Sequence, residues 1–406
     1  MAGIFGGCGV LCVDFAVLLP DFRVEVGKKT KVIRGSILMT RILFLLLCFG
    51  FVSACDSGGG DVLQSPSEDG ADGGAGEGGD DGTPIDSDRE LPPGTESPTR
   101  DDSIFRRESF DEEIGNGYVR SVSYNEDDDT FFVDGLGFDG NQVDGDRFTP
   151  SDPGSLGGRF DLPGARYSVY EAPVEFPDSL TETPIPQFLH RAIYGVSDSG
   201  DTEFAIVRTG AYINYGFGGF IYQRNGDVVI PAEGQATYEG AYAALRDFDG
   251  RSGLEYADGR AEIDIDFSGF RGNCAEAECD NAVRGLISER RLFDLEGNDI
   301  TRAYLDALSA ANGDVALSEM PVISFKIGPN VGDLNGELVG TVFTAGSEAP
   351  LTESIEEDGQ FFAVMAGDHA SEPGGEIAGV VVIENDDPRF DGVTVRETGG
   401  FIAVRR

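Results

Sequence analysis

The stretch Ala261-Glu262-Ile263-Asp264-Ile265-Asp266-Phe267 alternates apolar and acidic residues without a break. Successive side chains of an extended strand point to opposite faces, so this pattern predicts a strand with one buried and one wet face. Similar β-rich runs lie near 117–123, 129–134, 167–172, 189–196, 203–209 and 217–223. A second series lies near 234–246, 257–268, 282–293, 320–327, 335–343, 359–366, 375–384 and 397–406. Turn residues separate them, among them Asp249-Gly250, Asp258-Gly259, Asp333, Asp358-Gly359 and Asp391-Gly392. One segment departs from this rule. Thr301 to Ala311 puts Tyr304, Leu305 and Leu308 at helical spacing, with Asp299 or Thr301 as a cap and Gly313 as a stop. The expected class is mostly β with one short helix.

Eight runs in the second series suit a small antiparallel up-and-down barrel over 230–406. Closure removes exposed sheet edges. Eight strands leave an interior filled by side chains or holding one small ligand.

The N-terminal region carries an export signal. Met39-Thr40-Arg41 precedes the apolar run Ile42 to Val52, and small residues follow up to Cys55. Val52-Ser53-Ala54-Cys55 resembles the bacterial lipobox, in which the cysteine becomes the acylated first residue. The resemblance implies a signal peptide over 39–54, lipidation of Cys55 and a membrane partner reached through that lipid. The apolar run is short of the roughly 20 residues a spanning helix needs. Residues 1–38 contain Cys8, Cys12 and the basic Lys28, Lys29, Lys31 and Arg34. Translation is expected to start at Met39, leaving 1–38 outside the natural protein; the alternative is a long basic region ahead of the signal. Gly27-Lys28-Lys29-Thr30 lacks the glycine spacing and residue order of a phosphate loop.

Beyond residue 54 the chain holds 70 acids and 24 bases, of which only Lys326 is a lysine. Such a surface repels nucleic acid, so no nucleic-acid partner is expected. The acid excess with so little lysine suits salty water, where counterions screen repulsion; codon bias with ordinary solubility is an equal explanation. Residues 55–103 form a Gly-rich acidic tether, with 14 acids against Arg89 and Arg100. Such a composition buries too little to repay ordering. As a random coil it would hold its ends on the order of 40 Å apart. Cys274 and Cys279 form a Cys-x4-Cys pair, which in an oxidising compartment reads as a loop-stapling disulfide. A metal site there would need more soft ligands than His190 and His369 offer.

Three stretches carry a family resemblance. Ala236-Thr237-Tyr238-Glu239-Gly240 looks like a first barrel strand. Gly259-Arg260-Ala261 through Phe267, then Val283-Arg284-Gly285-Leu286-Ile287, looks like the strands after it. Gly359-Gln360-Phe361-Phe362, Glu372-Pro373-Gly374-Gly375-Glu376-Ile377-Ala378-Gly379 and Gly399-Gly400-Phe401 look like the closing strands. Together they resemble the barrel of the transferrin-binding protein B-like family of surface lipoproteins. The resemblance implies that 104–229 forms a smaller handle sheet ahead of the barrel. It also implies a surface binding protein that captures a carrier protein or solute. The well-known members have two lobes, whereas this chain has length for one.

Catalytic signals are few. Neither His190 nor His369 neighbours a Gly-x-Ser-x-Gly elbow, and both are expected to be structural or solvent-facing. Paired carboxylates could serve glycoside hydrolysis, but so many acids offer no unique pair. The acidic turns Asn125-Glu126-Asp127-Asp128-Asp129 and Asp134, Asp139, Asp144 and Asp146 lack EF-hand spacing, so they read as solvated loops. The expectation is a non-enzymatic, monomeric envelope lipoprotein without metal or cofactor, in the outer membrane rather than the inner. A structural or adhesion lipoprotein is the alternative, and a carboxylate-dependent hydrolase a third reading. Tyr212-Ile213-Asn214-Tyr215-Gly216-Phe217 sets rings beside glycine, so Tyr212, Tyr215 and Phe217 are the candidate binding residues. The same stretch also reads as an ordinary strand end packed on the barrel.

Overall fold

The computed structural model describes residues 91–136, 146–162, 164, 166–173, 175–177, 180–181, 183–186, 188–210, 214–270, 283–313, 315–326, 331–345 and 359–406. The first half builds an antiparallel sheet from β1 (Ile104–Arg107), β2 (Ser121–Asn125), β3 (Thr130–Asp134), β4 (Asp146–Leu156) and β5 (Tyr167–Glu171). After a side ribbon of β6 (Glu175–Pro177) and β7 (Pro184–Pro186), it continues with β8 (Arg191–Val196), β9 (Thr202–Arg208) and β10 (Gly218–Arg224). The spatial order is β1-β10-β9-β8-β5-β4-β3-β2. Six of these strands sit on the runs expected from alternation. β4 escapes that reading because Pro150 and Pro153 interrupt it, and its register shifts between Pro150 and Ser155.

A short β11 (Val228–Val229) leads into the second sheet. There β12 (Gln235–Asp249), β13 (Glu255–Asp266), β14 (Val283–Phe293), β15 (Val322–Phe325) and β16 (Glu337–Ala345) each pair antiparallel with the next. β17 (Gly359–Asp368), β18 (Glu376–Asp386) and β19 (Thr394–Arg405) continue the meander. β19 then pairs with β12, from Tyr238 opposite Arg405 to Asp249 opposite Thr394, and the eight-stranded barrel is closed. All eight expected barrel runs are strands of it. The structure is thus mostly β, a handle-like sheet followed by a closed barrel.

The barrel is filled. Tyr238, Tyr242, Ile263, Ile287, Phe325, Phe361, Met365 and Phe401 belong to one buried cluster, and the Phe325 and Phe361 rings stack at 4.1 Å. The Gly399-Gly400-Phe401 triplet shows how tightly both faces are used. A Cβ on Gly399 would lie 2.1 Å from the Tyr242 ring inside, and one on Gly400 would lie 2.2 Å from the Phe204 ring of the handle. Larger residues at either position would push a ring out of a close-packed core.

The handle lies against the outer wall of the barrel. Tyr167, Ile193, Phe204, Ile206, Phe220 and Tyr222 of the handle pack on Ala241, Ala243, Leu245, Phe362, Val380 and Ile402. The Tyr167 hydroxyl enters the barrel ladder, accepting from Ile402 N at 2.8 Å and donating to Ala241 O at 2.8 Å. The opposite face of the handle is covered by its own β3 and β4, which set Phe131, Val133 and Phe148 over Tyr170, Ala192, Val207 and Ile221. Residues 91–103, part of the compositional tether, are ordered against both sheets. Arg107 N donates to Pro93 O, and Arg100 Nε donates to Leu334 O at 2.9 Å.

The helix α1 (Thr301–Ala311) forms where its spacing predicts, with Tyr304 and Leu305 buried. Asp299 accepts from Thr301 N, while the Thr301 hydroxyl accepts from Leu292 N, so Thr301 ties the helix to β14 rather than capping its first turn. Gly313, at φ 75°, takes the left-handed conformation that ends the helix. Among the described residues no helix is long and apolar enough to cross a membrane.

Candidate binding end of the barrel

One end of the barrel gathers the β12–β13 turn, α1 with its flanks and the β18–β19 turn. Handle loops reach the same end. Gly253 N donates to Gly210 O, and the Tyr215 and Thr394 hydroxyls hydrogen-bond at 2.7 Å.

A charged cluster forms the inner wall. Strand register places Arg246 of β12 between Glu255 of β13 and Glu397 of β19. All three project inward, and all are buried. Arg246 Nη1 lies 2.7 Å from Glu255, and its Nε 3.2 Å from Glu397 Oε2. Arg290 of β14 donates to the same Glu397 oxygen at 2.6 Å and to Pro321 O at 3.0 Å. Tyr242 OH donates to the other Glu397 oxygen at 3.0 Å. Arg389 joins from the β18–β19 turn, donating to Glu255 at 2.9 Å and to Asp387 at 2.6 Å. The Tyr304 ring of α1 lies under two guanidiniums, Arg246 at 5.0 Å and Arg389 at 5.2 Å.

The electrostatics follow from that geometry. Burial alone would raise the Glu397 carboxyl, but Arg290 and Arg246 outweigh it and hold it below its ordinary value. Burial opposes the Arg290 charge, yet Glu397 keeps its pKa raised. Glu397 is therefore a fixed anion and a poor proton donor. Burial also raises the Tyr304 phenol. Arg246, Arg290, Glu397 and Tyr304 line a partly open cavity of about 210 Å³, with Leu308, Met320, Ile383 and Val395 as apolar lining. Asn385 and Asp386 stand at its edge.

Aromatic rings stand outside the cavity. Phe390 is 39% exposed, with the Arg251 guanidinium 4.3 Å from its ring. Phe110 is 60% exposed and meets Tyr118 edge-on at 5.2 Å; Tyr118 in turn meets Phe217 at 5.1 Å.

The residues singled out from sequence fall as follows. Cys55, Cys274, Cys279 and Tyr212 lie outside the described residues. Tyr215 and Phe217 are at this end, with Tyr215 buried beneath the Arg396 guanidinium at 4.5 Å and Phe217 in the ring cluster of Phe110. His190 and His369 are both buried, and burial lowers each imidazole to about 4. His190 Nδ1 faces Phe188 O at 3.1 Å, and His369 Nδ1 faces Tyr238 OH at 2.5 Å. In the acidic turn, Asp128 pairs with Arg147 and Asp129 accepts from Tyr170 OH. Among the described residues no group of side chains has a metal-binding arrangement. The Arg246, Arg290, Glu397 and Tyr304 cluster is invisible to composition. Its available signal is a charged residue at the inward phase of an alternating strand, as in Tyr242, Ala244 and Arg246.

No protein family matches the chain, and no curated protein matches it. Among solved structures it is similar to a double mutant of transferrin-binding protein B from Haemophilus parasuis Hp5. That match has 13% identity and a TM-score of 0.31, over 71% of this chain and 46% of the other. Intact Ap-TbpB, with N and C lobes, gives 14% identity and a TM-score of 0.26, over 54% of this chain and 36% of that one. The isotype 1 protein from serogroup B Neisseria meningitidis gives 15%, 0.24, 55% and 35%. The chain spans less than half the length of each of these structures. At such identity and fit the likenesses carry no functional argument.

Proposed function

We propose that this chain is a lipid-anchored binding protein of the bacterial envelope, capturing a carrier protein or solute at the loop-bearing end of its barrel, without catalysis. The observation that carries the reading is a filled barrel with exposed rings at one end, Phe110 on the handle side and Phe390 on the barrel side. A filled interior leaves no through-chamber for a large ligand, so a macromolecular partner must meet the loops. Exposed rings beside arginine are the composition of contact anchors. Lipid on Cys55 would place this face outward from the outer membrane.

The hydrolase reading meets a physical obstacle. The inner carboxylate of the cavity, Glu397, is held ionised by two arginines, whereas a glycosidase acid needs a raised pKa. The test uses the whole chain, immobilised and offered the growth medium of the cell that produces it. It should retain a partner, and Phe110→Ala with Phe390→Ala should weaken retention at least tenfold while the melting temperature holds. Turnover of a glycoside or ester by a chain that retains nothing would overturn the reading.

A further inference from the structure

The cavity at the barrel end is small, polarised and incompletely satisfied. Its volume of about 210 Å³ is that of roughly seven waters at ~30 Å³ each. Water alone fits it poorly, because Leu308, Met320, Ile383 and Val395 supply an apolar side. Among the described residues the Nε atoms of Arg246 and Arg290, both of which line the cavity, are buried without a hydrogen-bond partner, the Arg246 Nε lying 3.2 Å from Glu397 Oε2 as an ion pair only. A buried N–H left so is costly, and each such group calls for an explanation.

Charge runs in one direction through the cavity. At depth, Arg246 and Arg290 share a single oxygen of Glu397. Glu255, which also faces Arg246, is shared with Arg389 at 2.9 Å and Arg251 at 3.9 Å. Of the buried charged groups that line the cavity, Arg246 and Arg290 are guanidiniums and Glu397 alone is a carboxylate. Asp386 and Asn385 give the edge the opposite polarity. A simple anion suited to the inner wall would have to approach a chain of net charge −43. A zwitterion pays no such long-range penalty.

We propose that this cavity binds a free aliphatic α-amino acid. Its carboxylate lies toward Tyr304, Arg246 and Arg290, its ammonium toward Asp386 and Asn385, and its side chain against Leu308, Met320, Ile383 and Val395. The Tyr304 hydroxyl donates to the carboxylate. The site goes beyond the capture of a macromolecule by Phe110 and Phe390. Neither ring lines the cavity, so either reading can fail without the other.

The test is calorimetric titration of the whole chain with L-leucine, 4-methylpentanoate and 3-methylbutylamine. The last two lack the ammonium and the carboxylate respectively. L-Leucine should bind one per chain, and each analogue at least tenfold more weakly. Tyr304→Phe keeps the ring and Asp386→Asn keeps the size, so each should weaken L-leucine at least tenfold without changing the melting temperature of the free protein. Absence of L-leucine binding would overturn the site. Equal binding of 4-methylpentanoate, or unchanged affinity in both variants, would overturn the assigned contacts.

Discussion

The Tyr167 hydroxyl offers a clean measure of how firmly the handle is fixed to the barrel. It sits between two strands of the closed ladder, bonded to Ile402 N and Ala241 O at 2.8 Å each. Tyr167→Phe removes one oxygen and keeps the ring, which meets Phe204 edge-on at 4.9 Å. Apolar burial is therefore unchanged, and what remains is a buried N–H and a buried carbonyl with their partner gone. Each unsatisfied group costs about 1–3 kcal/mol, but the carbonyl has a second lone pair, so the expected loss is about 2–4 kcal/mol in total. Tyr124→Phe is the matched control. Tyr124 is 42% exposed, and its hydroxyl reaches Asp129 only at 3.2 Å, so water replaces the bond and the expected cost is about 0.5 kcal/mol or less.

Urea unfolding followed by circular dichroism reads both variants, since the chain has no tryptophan to report on it. At unchanged m-value the midpoint shift converts directly to free energy. Amide exchange at Ile402 should accelerate in Tyr167→Phe and not in Tyr124→Phe. A Tyr167→Phe midpoint equal to that of the control, with Ile402 still protected, would refute the insertion of this hydroxyl into the ladder.

Three further outcomes are expected. Glu397→Gln removes the shared anion of Arg246 and Arg290, and the stranded guanidiniums should destabilise the fold by about 3–5 kcal/mol in the same urea assay; a change near zero would show that water reaches the cluster. The buried imidazoles of His190 and His369 have folded pKa values of about 4 against 6.5, so their stabilisation is complete above about 6.5 and is lost as pH falls toward 4. Across that window each contributes a slope of about 1.4 kcal/mol per pH unit, which His190→Asn or His369→Asn should flatten; an unaltered slope would assign it to the carboxylates. Residues 104–406 carry 56 acids against 22 bases, so sodium chloride should raise the melting temperature as the Debye length shortens to about 10 Å at 0.1 M, and a flat response would mean that local pairing already cancels the excess.

How far the sequence is legible depends on the physics of each element. Barrel strands announce themselves because one face must be apolar along their whole length, and α1 because Tyr304, Leu305 and Leu308 recur at helical spacing. β1 has four residues, too few to show a period, and β4 is broken by prolines at a register shift. The barrel-end cluster is harder. Arg246 and Glu397 read locally as solvated charge on a wet strand face. Only closure of β19 on β12 turns them inward and sets them opposite each other. A long-range register of this kind is not encoded in any window of ten residues. The stretch around Tyr215 is legible for its rings, but whether a ring points outward depends on Arg396 and Thr394, far along the chain.

The scarcity of lysine acquires structural content from the interior. The buried cations include Arg106, Arg208, Arg224, Arg246, Arg290 and Arg396, and none is a lysine. Each uses the planar fork to hold segments distant in sequence. Arg106 of the handle is bidentate to Glu337 of the barrel, at 2.7 and 2.8 Å. Arg208 holds Glu108 at 2.8 Å and the Thr398 hydroxyl at 2.9 Å. Arg224 spends its donors on the carbonyls of Thr99, Asp102, Asn335 and Met365, so it pins residues 99–102 and the barrel to the handle without a carboxylate. An ammonium has three donors and no plane, and could not make these sets. Codon bias and salt adaptation remain equal accounts of the exposed acids. For the buried cations a third cause operates, since a handle fastened to a closed barrel needs several partners per charge.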